Sequence, residues 1–150
     1  NFLKEEQILL YAKEEFSAAQ MAQIRFGFQY GLTVNQIMKY ATLEYDHFQM
    51  EEIRFGYYFG LKEHQVLVYK DPKFDFEQMS KIRQGFQLGL EHNQVLLYAN
   101  PEYNSSQMHE ILLGFVNDLS MEEVMLYAKQ EFNENQMFEI RMDLKEGRCE

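Results

Sequence analysis

Apolar residues return along this chain on two superposed rhythms. The shorter is helical: Met21, Ile24 and Phe28 stand at i, i+3 and i+7, and the same stripe reappears as Met50, Ile53 and Tyr57 and as Met79, Ile82 and Phe86. The longer is 29 residues. Tyr11, Tyr40, Tyr69, Tyr98 and Tyr127 keep that step, as do Met21, Met50, Met79, Met108 and Met137, and Ile24, Ile53, Ile82, Ile111 and Ile140. Gln20, Gln49, Gln78, Gln107 and Gln136 follow it too, with no insertion anywhere, so the repeat is the unit of structure.

The polar columns say where helices begin and end. Ser17, Asp46, Asp75, Asn104 and Asn133 are good N-cap types, and each precedes its Gln by three residues, the spacing of a capping box. An aromatic residue precedes each cap and a Met follows at the fourth place beyond it, the spacing of a hydrophobic staple. Gly31, Gly60 and Gly89, each followed by Leu, read as helix stops. A second, shorter helix then runs to the Tyr column, opened by Thr33 with Gln36 and by Ser120 with Glu123. Lys62 and Glu91 are weak caps for the second helices of their units, and Pro72 and Pro101 lie in connections.

The expected fold is all-α: an α-solenoid of five 29-residue two-helix repeats with about ten short helices. Residues 1–150 read as one helical-repeat domain, with a half-repeat at 1–11, repeats starting near 11, 40, 69 and 98, and a final half-repeat at 127–147. The lone short helix at the start spans about 5–11 and the lone long one at the end about 134–146. A start in mid-repeat suggests a piece of a longer array. At the other end Asp143 and Arg148 replace the Gly and Leu of their columns, as in a capping repeat.

Several columns invite a sharper chemistry. Gly27, Gly56, Gly85 and Gly114 sit inside helices, where Gly costs about 1 kcal/mol; with Gly31, Gly60 and Gly89 they suggest an edge for close approach of an adjacent helix. No strand precedes them and no Lys-Ser/Thr follows, which opposes a phosphate loop. Arg25, Arg54, Arg83 and Arg141 are expected to cover the core edge and to pair with acids such as Glu15, Glu44 or Glu131, with an anion ladder as the alternative. The Tyr column reads as core with a hydrogen-bonded hydroxyl. His47, His64, His92 and His109 occupy four different columns, so they are no repeated ligand set, and the Glu44/His47 spacing alone is weak.

Charge narrows the partners. The 150 residues carry 14 Lys and Arg against 24 Asp and Glu, a net −10, which opposes phosphate backbones and anionic lipid. No apolar run reaches the length of a membrane span. The one Cys, Cys149, excludes a disulfide framework or thiolate cluster within a chain. No metal, cofactor or enzymatic activity is expected, and the compartment is expected to be the cytoplasm.

One feature exceeds the needs of a core. Positions on the backs of the long helices carry Phe26 and Tyr30, then Phe48, Phe55, Tyr58 and Phe59, fading to Leu88 and Leu113. If solvated, this strip is a groove for a protein or peptide, or for self-association; if buried between repeats, the chain is an architectural spacer or cap of a larger polypeptide.

The run Tyr69-Lys70-Asp71-Pro72-Lys73-Phe74-Asp75, followed by Gln78-Met79, Ile82-Arg83, Gly85 and Gly89-Leu90, resembles short helical repeats of uncharacterised bacterial proteins, associated with gut Firmicutes and their mobile elements. The resemblance covers nearly the whole chain. It implies helical repeats and no known activity.

Overall fold

The computed structural model describes residues 15–147. Among these the protein is all helical: α1 (Ala18–Gln29), α2 (Val34–Tyr40), α3 (His47–Tyr58), α4 (Glu63–Tyr69), α5 (Phe76–Gln87), α6 (His92–Tyr98), α7 (Ser105–Val116), α8 (Met121–Met125) and α9 (Glu134–Gly147). The short helix expected at 5–11 lies outside the described residues. The chain divides inside α5 into two compact units, 1–79 and 80–150. No helix among the described residues is long and apolar enough to cross a membrane.

In the first unit α3 packs against α1, α2 and α4 and encloses Ile24, Ile37, Tyr40, Met50, Ile53, Val66 and Tyr69. In the second, α7 packs against α6, α8 and α9 around Val95, Tyr98, Met108, Ile111, Val124, Tyr127 and Met137.

Helix starts follow the sequence. The Asp46 carboxylate accepts from the Gln49 N–H at 2.8 Å while the Asp46 N–H donates to Gln49 Oε1 at 2.9 Å, and the same exchange joins Ser17 to Gln20, Asp75 to Gln78, Asn104 to Gln107 and Asn133 to Gln136. The helices after Lys62 and Glu91 form on half a box: each cap N–H donates to the side-chain oxygen of Gln65 (2.9 Å) or Gln94 (2.8 Å). That one bond, with the buried Val66, Tyr69, Val95 and Tyr98, makes up for the missing cap acceptor.

The Gln column has a second role. While Oε1 of Gln49 caps its own helix, its Nε2 donates to the carbonyls of Pro72 (3.1 Å) and Phe74 (2.7 Å) ahead of α5. Gln107 does the same to Gln130 (3.2 Å) and Phe132 (2.7 Å) ahead of α9. Both amides are buried. An acid would cap as well but could not donate, which is why the column is Gln.

The long helices end in Schellman turns. Gly31, at φ 82°, donates to the Phe28 carbonyl and Leu32 to that of Gly27, a pattern repeated at Gly60 and Gly89. In the fourth turn Asp118 takes the left-handed position at φ 63°, donating to Phe115 while Leu119 donates to Gly114.

The helix-interior glycines answer to tyrosine rather than to a neighbouring backbone. A Cβ on Gly56 would lie 2.0 Å from the Tyr69 hydroxyl, and Gly27, Gly85 and Gly114 meet Tyr40, Tyr98 and Tyr127 in the same way. Each hydroxyl crosses the glycine to donate to the carbonyl four residues before it: Tyr40 to Gln23 (2.8 Å), Tyr69 to Glu52 (2.9 Å), Tyr98 to Lys81 (2.9 Å) and Tyr127 to Glu110 (2.8 Å). The expected close helix edge is thus corrected to a phenol slot, and Gly31, Gly60 and Gly89 play no part in it, having no atom within contact of an added Cβ.

Candidate functional site

α1 and α3 end side by side, and their last turns carry rings because those positions face away from the Met/Ile stripe. Tyr30 meets Tyr58 edge-on at 5.3 Å between centroids, Tyr58 meets Phe59 at 5.1 Å, Phe59 lies 5.9 Å from Phe55, and Phe26 lies 6.4 Å from Tyr30. These contacts form one continuous cluster. Tyr30 (53 % exposed), Tyr58 (48 %) and Phe59 (53 %) are open to solvent, Phe26 is at the margin, and Phe55 is half-buried rather than exposed.

Beneath the rings lies Arg54, only 5 % exposed. Its guanidinium carbon is 4.8 Å from the Phe55 centroid, 5.4 Å from that of Phe26 and 5.5 Å from that of Tyr30. Such stacking contributes about 0.5–2 kcal/mol per ring, more as the cation is desolvated. Its Nε donates to Gln23 Oε1 at 3.0 Å, and Gln23 Nε2 in turn donates to Glu51 at 3.1 Å.

Arg141 holds the same column in the second unit. Its Nε donates to the Glu110 carboxylate at 2.8 Å in a nearly enclosed ion pair, and Phe138 stacks on it at 5.3 Å. For Arg54 and Arg141 these partners correct the expected pairing with Glu15, Glu44 or Glu131, the acceptor lying 31 residues before the arginine, whereas Arg83 donates within its own helix to Gln87 and Ser80. Where the column carries Leu112, the position 31 before it is Lys81.

Phe48, at the start of α3, stacks with Phe76 at 4.8 Å beside His47, forming a separate exposed patch. Leu88 is exposed past the end of α5, and Leu113 is half-buried on α7. Within the first unit Phe26, Tyr30, Phe55, Tyr58 and Phe59 come together and Phe48 stands apart, while Leu88 and Leu113 belong to the second unit.

The column tyrosines are protected phenols. Burial pushes the hydroxyls of Tyr40, Tyr98 and Tyr127 far above their ordinary value, and burial beside Glu44 and Asp71 pushes Tyr45 to about 12. A shallow recess in the second unit is lined by Lys81, Ser105, Ser106, His109, Glu110 and Glu134. There His109 Nδ1 is buried without a hydrogen bond, and burial, with Lys81 and Arg141 nearby, lowers the imidazole pKa. Among the described residues no three His, Cys, Asp or Glu are grouped to hold a metal ion.

Comparison with protein-family models, with curated proteins and with solved structures finds no match.

Proposed function

We propose that the protein is a non-enzymatic helical-repeat scaffold, an α-solenoid built on the 29-residue unit, that binds a protein or peptide through the aromatic cluster of α1 and α3. The observation that carries this reading is the contiguous set of exposed rings, Tyr30, Tyr58 and Phe59, at positions the core does not need. Aromatic anchors of this kind contribute about 2 kcal/mol or more when covered by a partner.

The test is the double variant Tyr58→Ser/Phe59→Ser. Its melting temperature should stay close to that of the parent, since half-open side chains contribute little to folding, while capture of partners from the source lysate should fall sharply. A strongly destabilised variant, or one that retains every partner, would refute the binding reading.

A second reading, an architectural spacer or cap, is favoured by one observation: Phe26 and Phe55 spend ring faces on Arg54, so part of the aromatic content houses a buried cation. On that reading the outer rings are the rim of an internal arginine lodging, and the double variant loses stability instead of partners.

A further inference from the structure

Corresponding positions of the two units lie two periods of 29 residues apart, so that Phe48 answers to Ser106, Phe76 to Glu134, Gln23 to Lys81 and Glu51 to His109. In the first unit these positions carry the stacked rings of Phe48 and Phe76, 4.8 Å apart. In the second the rings give way to a hydroxyl and a carboxylate, and a recess of about 270 Å³ remains, lined by Lys81, Ser105, Ser106, His109, Glu110 and Glu134. That is room for a small molecule, since a single water takes about 30 Å³.

The charges around the recess are not settled among themselves. Glu110 is committed to Arg141 at 2.8 Å. Lys81, half-buried, and Glu134, exposed, take part in no ion pair with each other or with any other described residue. Lys81 also stands where the arginine column offers it nothing, because the residue 31 positions on is the buried Leu112. In the same wall His109 Nδ1 is enclosed without a hydrogen bond. One recess thus presents an uncommitted cation, an uncommitted anion and an unsatisfied imidazole nitrogen.

We propose that this recess binds a small zwitterion of the amino-acid type, its carboxylate received by Lys81 and the Ser106 hydroxyl and its ammonium by Glu134. Such a ligand answers both charges at once with charge-assisted hydrogen bonds. An anion alone would face Glu134 and a cation alone would face Lys81, and a like charge in place of an opposite one costs affinity. Being neutral overall, a zwitterion is not repelled by the net charge of −10. The proposal does not rest on the aromatic cluster of α1 and α3 and is tested without it.

The experiment follows the His109 ring signals by NMR at neutral pH while three probes are titrated: alanine, which offers both charges; N-acetylalanine, the carboxylate alone; and alaninamide, the ammonium alone. Alanine should shift the signals saturably and bind tenfold or more tighter than either of the others. Lys81→Gln should bring alanine down to the affinity of alaninamide, and Glu134→Gln should bring it down to that of N-acetylalanine. Neither side chain belongs to the core, so far-ultraviolet circular dichroism should be kept in both. Ser106→Phe/Glu134→Phe, which restores the ring pair of the first unit, should fill the recess and abolish the shifts. No saturable shift with alanine, a singly charged probe that binds as tightly as alanine, or alanine binding undiminished in both single variants overturns the proposal.

Discussion

Replacing Gln49 by Glu changes one NH2 for one oxygen and leaves the capping box formally intact, since Glu serves at that position as well as Gln. On local grounds the change should even help, by adding a negative charge at a helix N-terminus for about 0.3–1 kcal/mol. The tertiary contacts say otherwise. The replaced atom is the donor to Pro72 and Phe74, at 3.1 and 2.7 Å, in a buried site. Two hydrogen bonds at about 1 kcal/mol each would be lost, and an oxygen would face two carbonyl oxygens with no proton between them. Desolvation of the charge adds to this until the carboxyl is forced to take up a proton, so the net loss should be about 2–4 kcal/mol at neutral pH. Urea unfolding of Gln49→Glu beside Gln49→Ala and the parent is the assay. The folded-state pKa of the new Glu would be raised above its unfolded value, so the part of its deficit that comes from ionisation is absent at acid pH and opens as pH rises through that interval, leaving only the loss of one donor below it. A variant within about 0.5 kcal/mol of the parent at pH 7, or a deficit that does not depend on pH, would refute the two-ended role of this side chain.

Three further outcomes follow from the same packing. Gly56→Ala should gain about 1 kcal/mol of helix propensity yet destabilise overall by about 1–3 kcal/mol, because its Cβ would stand 2.0 Å from the Tyr69 hydroxyl; in Gly56→Ala/Tyr69→Phe much of that loss should vanish, and additive effects in a double-mutant cycle would contradict the phenol slot. Asp118→Gly should raise stability by up to about 1 kcal/mol by relieving the left-handed backbone at φ 63°, and a lower denaturation midpoint would show that the Asp118 side chain outweighs the strain. The raised tyrosine values give stability that is complete below pH 10, where unfolded phenols begin to ionise, and that falls as pH climbs above it; ring signals of Tyr40, Tyr98 and Tyr127 followed singly by NMR should therefore show ionisation only together with loss of helix, and ionisation of any of these three in a still-folded chain near pH 10 would refute their protection.

What the sequence made legible was local. Caps, Schellman stops and the buried faces depend on residues three to seven apart, and the 29-residue columns repeat each of them often enough to read. What it concealed was the far end of side chains already accounted for. Gln49 and Gln107 satisfied the capping pattern, so nothing in the columns asked where their amide nitrogens go. The interior glycines suggested close approach, but the approaching group was a phenol on the next helix rather than a backbone. The arginine partners lay one column aside, and the signal was present: Glu110 stands 31 residues before Arg141, and the charge-reversed Lys81 stands 31 before the apolar Leu112. The aromatic positions were correct as a helix face and misleading as a strip, because Phe48 and Phe59 lie at opposite ends of α3, about 16 Å apart along its axis.

The slot that each tyrosine fills also bears on heredity. Its two members lie 13 residues apart, as in Gly56 and Tyr69, and its hydroxyl bond spans 17, so every slot spans less than one 29-residue period. The clasp of Gln49 spans 25 to Phe74, and the pairing of Arg54 spans 31 to Gln23, so both reach only to an adjoining unit. A 29-residue segment copied or lost in frame would therefore restore the glycine slot and the amide clasp at the junction, but not the arginine pairing, because its partner column carries Gln23, Lys81 and Glu110 in turn. A single-codon insertion, by contrast, shifts whichever partnerships it separates: one between Gly56 and Tyr69 moves the phenol out of its slot and Phe74 away from the Gln49 amide, while Gln23 and Arg54 stay in register.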